Sequence, residues 1–177
     1  MLSPRLRYGL LILSGCLLTV LEGGLAMSPA WAGDPLDAAY RLYRAEKFDE
    51  AVAAYKPLLP QLKGKEAAAA WLNVATCHQR RHRYEQAVAA NRQALQFKGL
   101  TPAEEGRARL QIGYCLRMLK QSDEALEALA QAAQTKGATE AQQAEAWLYS
   151  GWELRTLGRI DEALAAFAKV SKVPDVH

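Results

Sequence analysis

His78 and His82 stand four residues apart, the interval at which one helix face can offer two imidazoles to a single metal ion. No third ligand stands near them, and Arg80, Arg81 and Arg83 crowd the same stretch with positive charge. The stretch reads as a solvated turn, and no metal site is expected. Cys77 and Cys115 fall at matching places in a repeated pattern. Matching points on packed helices lie about 8–10 Å apart, beyond disulfide reach, so two buried thiols are expected. Glu104-Glu105 suits the first turn of a helix, where carboxylates offset the helix dipole. A paired-carboxylate, nucleophile–base or phosphate-loop arrangement is not found. The chain is therefore not expected to be an enzyme, and no cofactor is implied. What remains is a recurrent supply of aromatic side chains and arginines, which is a chemistry of recognition.

The 177 residues suffice for one domain, and half of them are hydrophobic, enough for a packed core. Net charge is +3. Without the first 32 residues, 20 basic side chains face 18 acidic ones. That balance gives no reason to expect nucleic acid as a partner. Alanine is abundant, glycine and proline sit mainly at segment ends, and no run alternates as a half-buried strand would. An all-α fold is expected.

Residues 1–32 read as a signal peptide rather than as part of the domain. Arg5 and Arg7 give a positive start, Leu10 to Leu21 an apolar core too short for a membrane span, and Ala30-Trp31-Ala32 a small-residue cleavage pattern. Cleavage after Ala32 would leave 33–177 as an exported domain, secreted or periplasmic. Leu13-Ser14-Gly15-Cys16 resembles a bacterial lipobox, which would make the protein a lipoprotein acylated at Cys16. The apolar run continues past Cys16 through Leu21, which favours the plain signal peptide. An uncleaved amino-terminal anchor is a third reading, and the membrane enters only through such a segment.

Four short marks then recur: Phe48-Asp49-Glu50-Ala51, Tyr84-Glu85-Gln86-Ala87, Ser122-Asp123-Glu124-Ala125 and Ile160-Asp161-Glu162-Ala163. Their alanines are 36, 38 and 38 residues apart. Twelve residues before each stands a small residue, Ala39, Ala75, Gly113 or Gly151. Four residues after stands Tyr55, Leu129 or Phe167, with Asn91 as the weak spot in the second unit. Small against large at these places lets two helices approach closely. Trp71 and Trp147 open two first helices, where the third unit has Arg109. This pattern resembles the tetratricopeptide repeat, a helix-turn-helix unit of about 34 residues.

The resemblance implies a right-handed superhelical solenoid of four repeats, about 35–62, 65–98, 102–136 and 140–172. Helices are expected at about 35–45, 48–60, 65–81, 84–97, 102–119, 122–135, 140–157 and 160–171. Lys63-Gly64, Lys98-Gly99 and Lys136-Gly137 are expected to end second helices. Thr101-Pro102-Ala103-Glu104 and Thr139-Glu140-Ala141-Gln142 are expected to start first helices as capping boxes. The extra residues in each repeat are expected to lengthen the connections between repeats.

In that family the first helix of each repeat lines a concave groove. The residues placed there are Leu36, Tyr40, Tyr43 and Arg44; Leu72, Asn73, Thr76, Gln79 and Arg80; Arg107, Leu110, Gln111, Tyr114, Arg117 and Met118; and Leu148, Tyr149, Trp152, Arg155 and Thr156. Tyr40, Tyr114 and Trp152 occupy equivalent places and are expected to form one aromatic stripe, with Arg117 and Arg155 beside it. Such a groove suits an acidic, aromatic-containing or extended peptide. Against that stands packing of the aromatics on neighbouring helices, with the arginines solvated or paired to Glu145 and Glu153. A carboxylate clamp of the kind some family members use is not supported: Asn73 fits, but Leu36 stands where a lysine is needed. The last helix leaves Leu164 and Val170 partly uncovered, which suggests self-association. The function expected is an exported scaffold or adaptor holding a protein or peptide partner in the bacterial cell envelope. The alternative is an accessory or regulatory subunit of an envelope complex, in cell-wall processing, secretion or outer-membrane assembly.

Overall fold

The computed structural model describes residues 33–171, together with a two-residue antiparallel pairing of Val20–Leu21 with Gly24–Leu25. The signal-peptide features at Arg5, Arg7, Cys16 and Ala30-Trp31-Ala32 lie outside the described residues. Eight helices follow among the described residues: α1 (Pro35–Arg44), α2 (Phe48–Tyr55), α3 (Gly64–Arg80), α4 (Tyr84–Ala94), α5 (Pro102–Met118), α6 (Ser122–Gln134), α7 (Glu140–Thr156) and α8 (Ile160–Val170). They form four helix pairs, α1/α2 to α7/α8. Each helix packs mainly on its neighbours in sequence, and α5 also touches α7. Among the described residues no helix is long and apolar enough to cross a membrane.

Helix starts follow their local sequence. At α5 the Thr101 hydroxyl accepts from the Glu104 N–H at 3.2 Å, and the Glu104 carboxylate accepts from the Thr101 N–H at 2.7 Å. Thr139 and Gln142 repeat this reciprocal pair at α7. Gln142 Nε2 also donates to the Ala103 carbonyl at 2.9 Å and fastens the start of α7 to α5. The first-turn role expected of Glu104-Glu105 divides accordingly: Glu104 caps, while Glu105 pairs with Arg109 at 3.1 Å.

Helix ends differ from the sequence expectation. α2 stops at Tyr55 rather than near 60, because Pro57 has no N–H to offer the Ala53 carbonyl. Looser turns carry the chain on to Gln61. Gly64, Gly99 and Gly137 do adopt positive φ, at 52°, 109° and 85°. They lie in the connections between pairs, and Gly64 already opens α3; none of them caps the preceding helix. The left-handed stops fall instead between the two helices of each pair, at Glu46, His82, Lys120 and Gly158, with φ of 58°, 56°, 60° and 75°. There the Lys47 N–H reaches Leu42 O at 3.0 Å and the Glu46 N–H reaches Tyr43 O at 3.1 Å. The same two bonds recur as Arg83–His78 with His82–Gln79, Gln121–Leu116 with Lys120–Arg117, and Arg159–Leu154 with Gly158–Arg155.

Within each pair the small-against-large pattern sets the approach of the two helices. A methyl group on Gly113 would sit 2.6 Å from Leu129 Cγ, and one on Gly151 would run into the Phe167 ring. Ala51, Ala87, Ala125 and Ala163 are all buried. Asn91 is fully buried; its Nδ2 donates to Ala87 O at 3.1 Å, while its Oδ1 has no partner. The weak spot is therefore a polar group inside the core.

Polar ties join successive pairs. Arg81 and Arg83 both bind Asp49, at 3.0 and 2.7 Å, so this arginine cluster is not a purely solvated turn. Arg92 meets Glu124 at 3.1 Å. Within the α5/α6 pair, Arg109, where two other repeats have tryptophan, reaches Thr135 Oγ1 at 3.0 Å. Cys77 and Cys115 are buried and free, and burial pushes their thiols up to about 11 and about 12. On α8, Leu164 is 61% exposed.

Candidate partner-binding groove

The residues of α1, α3, α5 and α7 expected in the groove gather in two places rather than in one stripe. The equivalent of Tyr40 and Tyr114 on α3 is Thr76, whose hydroxyl donates to Leu72 O and accepts from Gln111 Nε2. The aromatic line breaks there. Leu72 and Leu110, expected in the groove, are instead buried in the core at 3% and 6% exposure.

The first place lies between α1 and α3. Tyr40 and Tyr43 stack at a tilt, with ring centroids 6.0 Å apart. Leu36, Tyr40, Tyr55, Ala69, Ala70 and Asn73 line a mostly apolar cavity of about 460 Å³, with Asp37, Lys65 and Glu66 at its polar edge. Asn73 Nδ2 donates to the Tyr55 hydroxyl at 3.0 Å, so this asparagine is tied to the cavity wall. Burial raises the Tyr55 phenol above its ordinary value, and Tyr55 acts here as a neutral group. Tyr43, Thr76, Arg44 and Arg80 border a neighbouring shallow recess with Phe48.

The second place lies on α5 and α7. Ring centroids of Tyr114 and Tyr149 are 5.4 Å apart, and those of Tyr149 and Trp152 are 5.6 Å apart. The Arg117 guanidinium stands 5.8, 5.6 and 5.9 Å from the Tyr114, Tyr149 and Trp152 rings. Each distance is within cation–π range, so the rings hold the cation in place. Its Nε is buried without a hydrogen-bond partner, which leaves the Nη groups to meet an anion. The Tyr149 hydroxyl donates to Glu145 at 2.7 Å. Burial, and then this bond to Glu145, hold the phenol far above its ordinary range.

Tyr84 extends the aromatic group. Its ring meets Tyr114 edge-on at 6.4 Å, and its hydroxyl lies 2.7 Å from His82 Nδ1. The sequence reading used Tyr84 only as a repeat mark. The signal was available: an aromatic residue, Phe48, stands at the matching place in the first repeat. His78 is held below the usual imidazole range by burial first and by Arg83 second. Among the described residues no cluster of metal-ligating side chains forms around His78 or His82.

Glu145 is engaged by Tyr149, and the buried Glu153 accepts from the Ser122 hydroxyl. Neither pairs with an arginine; the competing expectation is met in its other form, with the Tyr114 and Tyr149 rings packed across α5 and α7 and Arg155 solvated. Arg44, Arg80, Arg107, Arg117 and Arg155 form no ion pair with any described residue. All but Arg117 are exposed. Arg107 lies close enough to Glu104 to help hold its carboxyl low, behind the larger effect of the Thr101 backbone bond.

Residues 36–103, which hold α1 to α4, match the family model described as Tetratricopeptide repeat. The fold is a tetratricopeptide-repeat solenoid. Solved structures with this fold extend the likeness over most of the chain. MamA aligns at 18% identity and a TM-score of 0.65, covering 77% of this chain and 74% of that one. YrrB, described as a TPR protein with an unusual peptide-binding site, aligns at 24% identity and 0.63, covering 81% and 69%. A Podosopora anserina putative kinesin light chain with nearly identical TPR-like repeats aligns at 18% identity and 0.63, covering 78% and 74%. At these identities the likeness is one of fold. No curated protein matches the chain.

Proposed function

We propose that this protein is an exported tetratricopeptide scaffold or adaptor of the bacterial cell envelope, holding an extended segment of a partner protein along the faces of α1, α3, α5 and α7. The observation that carries the reading is the second aromatic group. Tyr114, Tyr149 and Trp152 present rigid rings around a cation that no described carboxylate neutralises. Aromatic rings and arginine contribute most at protein interfaces, because they bury large area at low entropic cost. The peptide-binding site named for YrrB lies on the same fold and supports this reading. Export rests on the Arg5/Arg7, Leu10–Leu21 and Ala30-Trp31-Ala32 features of the sequence. Amino-terminal sequencing of the protein from its host checks it: Gly33 first is expected, and an intact Met1 would overturn export by cleavage.

The binding test is selection of a displayed random twelve-residue peptide library on the immobilised protein. Enriched sequences are expected from the wild type. Their loss is expected from the Trp152→Ala/Arg155→Ala double variant at an unchanged unfolding midpoint. Equal enrichment from both, or none from the wild type, would remove the groove reading.

A further inference from the structure

We infer that the groove reads a two-part motif: a large apolar side chain seated in the Tyr40/Tyr55/Asn73 cavity, and an internal Asp or Glu held by Arg117, at least about five or six residues away. This specificity presupposes that the groove binds peptides at all, and it adds which peptides.

The cavity supplies the first half. Its walls are Leu36, Ala69, Ala70 and the rings of Tyr40 and Tyr55, so it favours an aliphatic or aromatic side chain. At about 460 Å³ it has room for one large residue. One Asn73 N–H is already engaged by the Tyr55 hydroxyl on its wall, so the pair is held in place beside the apolar lining.

Arg117 supplies the second half. Three rings surround its guanidinium and limit where it can move. A partner carboxylate consequently pays little of the side-chain entropy that a free surface arginine would cost it. The Nη edge can donate two parallel hydrogen bonds, the arrangement that matches a carboxylate. The surrounding charge agrees: Arg44, Arg80, Arg107 and Arg155 bring further positive charge to this face without an ion-pair partner among the described residues.

The spacing follows from helix packing. The cavity lies between α1 and α3, and the arginine cage lies on α5 and α7, two repeats further along. Helices approach no closer than roughly 8–10 Å, and α3 and α5 are not closely packed, so the two places are separated by at least roughly 16–20 Å. An extended chain advances about 3.3 Å per residue, which places the acid about five or six residues from the apolar anchor at the nearest.

The same peptide selection tests this with three further variants. Wild type is expected to enrich sequences in which Leu, Ile, Met or Phe recurs at least about five or six positions from Asp or Glu. Arg117→Gln is expected to return the acidic position to its frequency in the library while the apolar preference stays. Arg117→Lys, which keeps the charge without the planar fork, is expected to retain only part of it. Ala69→Trp, which fills the cavity, is expected to lose the apolar preference and keep the acid. Circular dichroism confirms that each variant is folded, and Leu36→Asp replaces Ala69→Trp if that variant unfolds. Enrichment without a coupled pair of positions, or an acid preference that survives Arg117→Gln, overturns the motif while leaving peptide binding intact. Failure of the wild type to enrich any peptide overturns the groove reading itself.

Discussion

Gly151 and Phe167 show how much a single residue decides. The ring lies where a β-carbon on residue 151 would go, so α7 and α8 approach as closely as they do only because residue 151 has none. In Gly151→Ala the methyl gains about 1 kcal/mol of helix propensity. It loses more by forcing the ring or α8 aside, at about 1–3 kcal/mol. The expected outcome is a lower urea midpoint, and a midpoint equal to or above wild type would mean that α8 yields freely. The pairing of Ala39, Gly113 and Gly151 with Tyr55, Leu129 and Phe167 was legible in the sequence, because contacts at fixed helical spacing leave a periodic trace. The state of Asn91 was only half legible. Its place in the pattern marked a weakness, but its complete burial and its orphan Oδ1 come from the packing of α4 against its neighbours.

At the scale of elements, the capping boxes at Thr101 and Thr139 followed directly from sequence, since a cap is a contact over three residues. The helix ends did not. Glycine is the usual sign of a left-handed stop, yet three of the four stops use Glu46, His82 and Lys120. Their carbonyl bonds force the conformation, and residue type records it only at Gly158. A non-glycine residue there costs roughly 1–2 kcal/mol. Lys120→Gly should therefore raise the urea midpoint by the equivalent of about 1 kcal/mol with an unchanged slope. A fall in the midpoint would mean that the lysine side chain contributes more to the turn than its backbone strain costs. Pro57 carries the same lesson for α2: the missing N–H was visible in the sequence, but the periodic apolar residues around it suggested a longer helix.

At the scale of the whole molecule, the repeat period announced the solenoid, and α1, α3, α5 and α7 lie where the first helices were expected. The grouping of their aromatic and arginine side chains was not legible. Equivalence between repeats suggested one stripe through Tyr40, Tyr114 and Trp152. In the structure Thr76 interrupts it, and Tyr149 and Tyr84, which are not equivalent positions, complete the second group. Rings meet across α5 and α7 according to how those helices approach, and one strand of sequence does not encode that distance. Leu72 and Leu110 turned inward for the same reason.

The most direct test of the groove is calorimetric titration of a synthetic peptide, acetylated and amidated, with one leucine and one aspartate six residues apart. The aspartate and its asparagine isostere are each measured against wild type and Arg117→Gln. Capped ends leave the aspartate as the carboxylate under test. A charge-assisted hydrogen bond is worth about 1.5–3 kcal/mol, so asparagine should weaken wild-type binding by about ten-fold or more. It should make little further difference in Arg117→Gln. Equal affinities of the two peptides for wild type, or the same loss in both proteins, would contradict an acid-reading groove centred on Arg117.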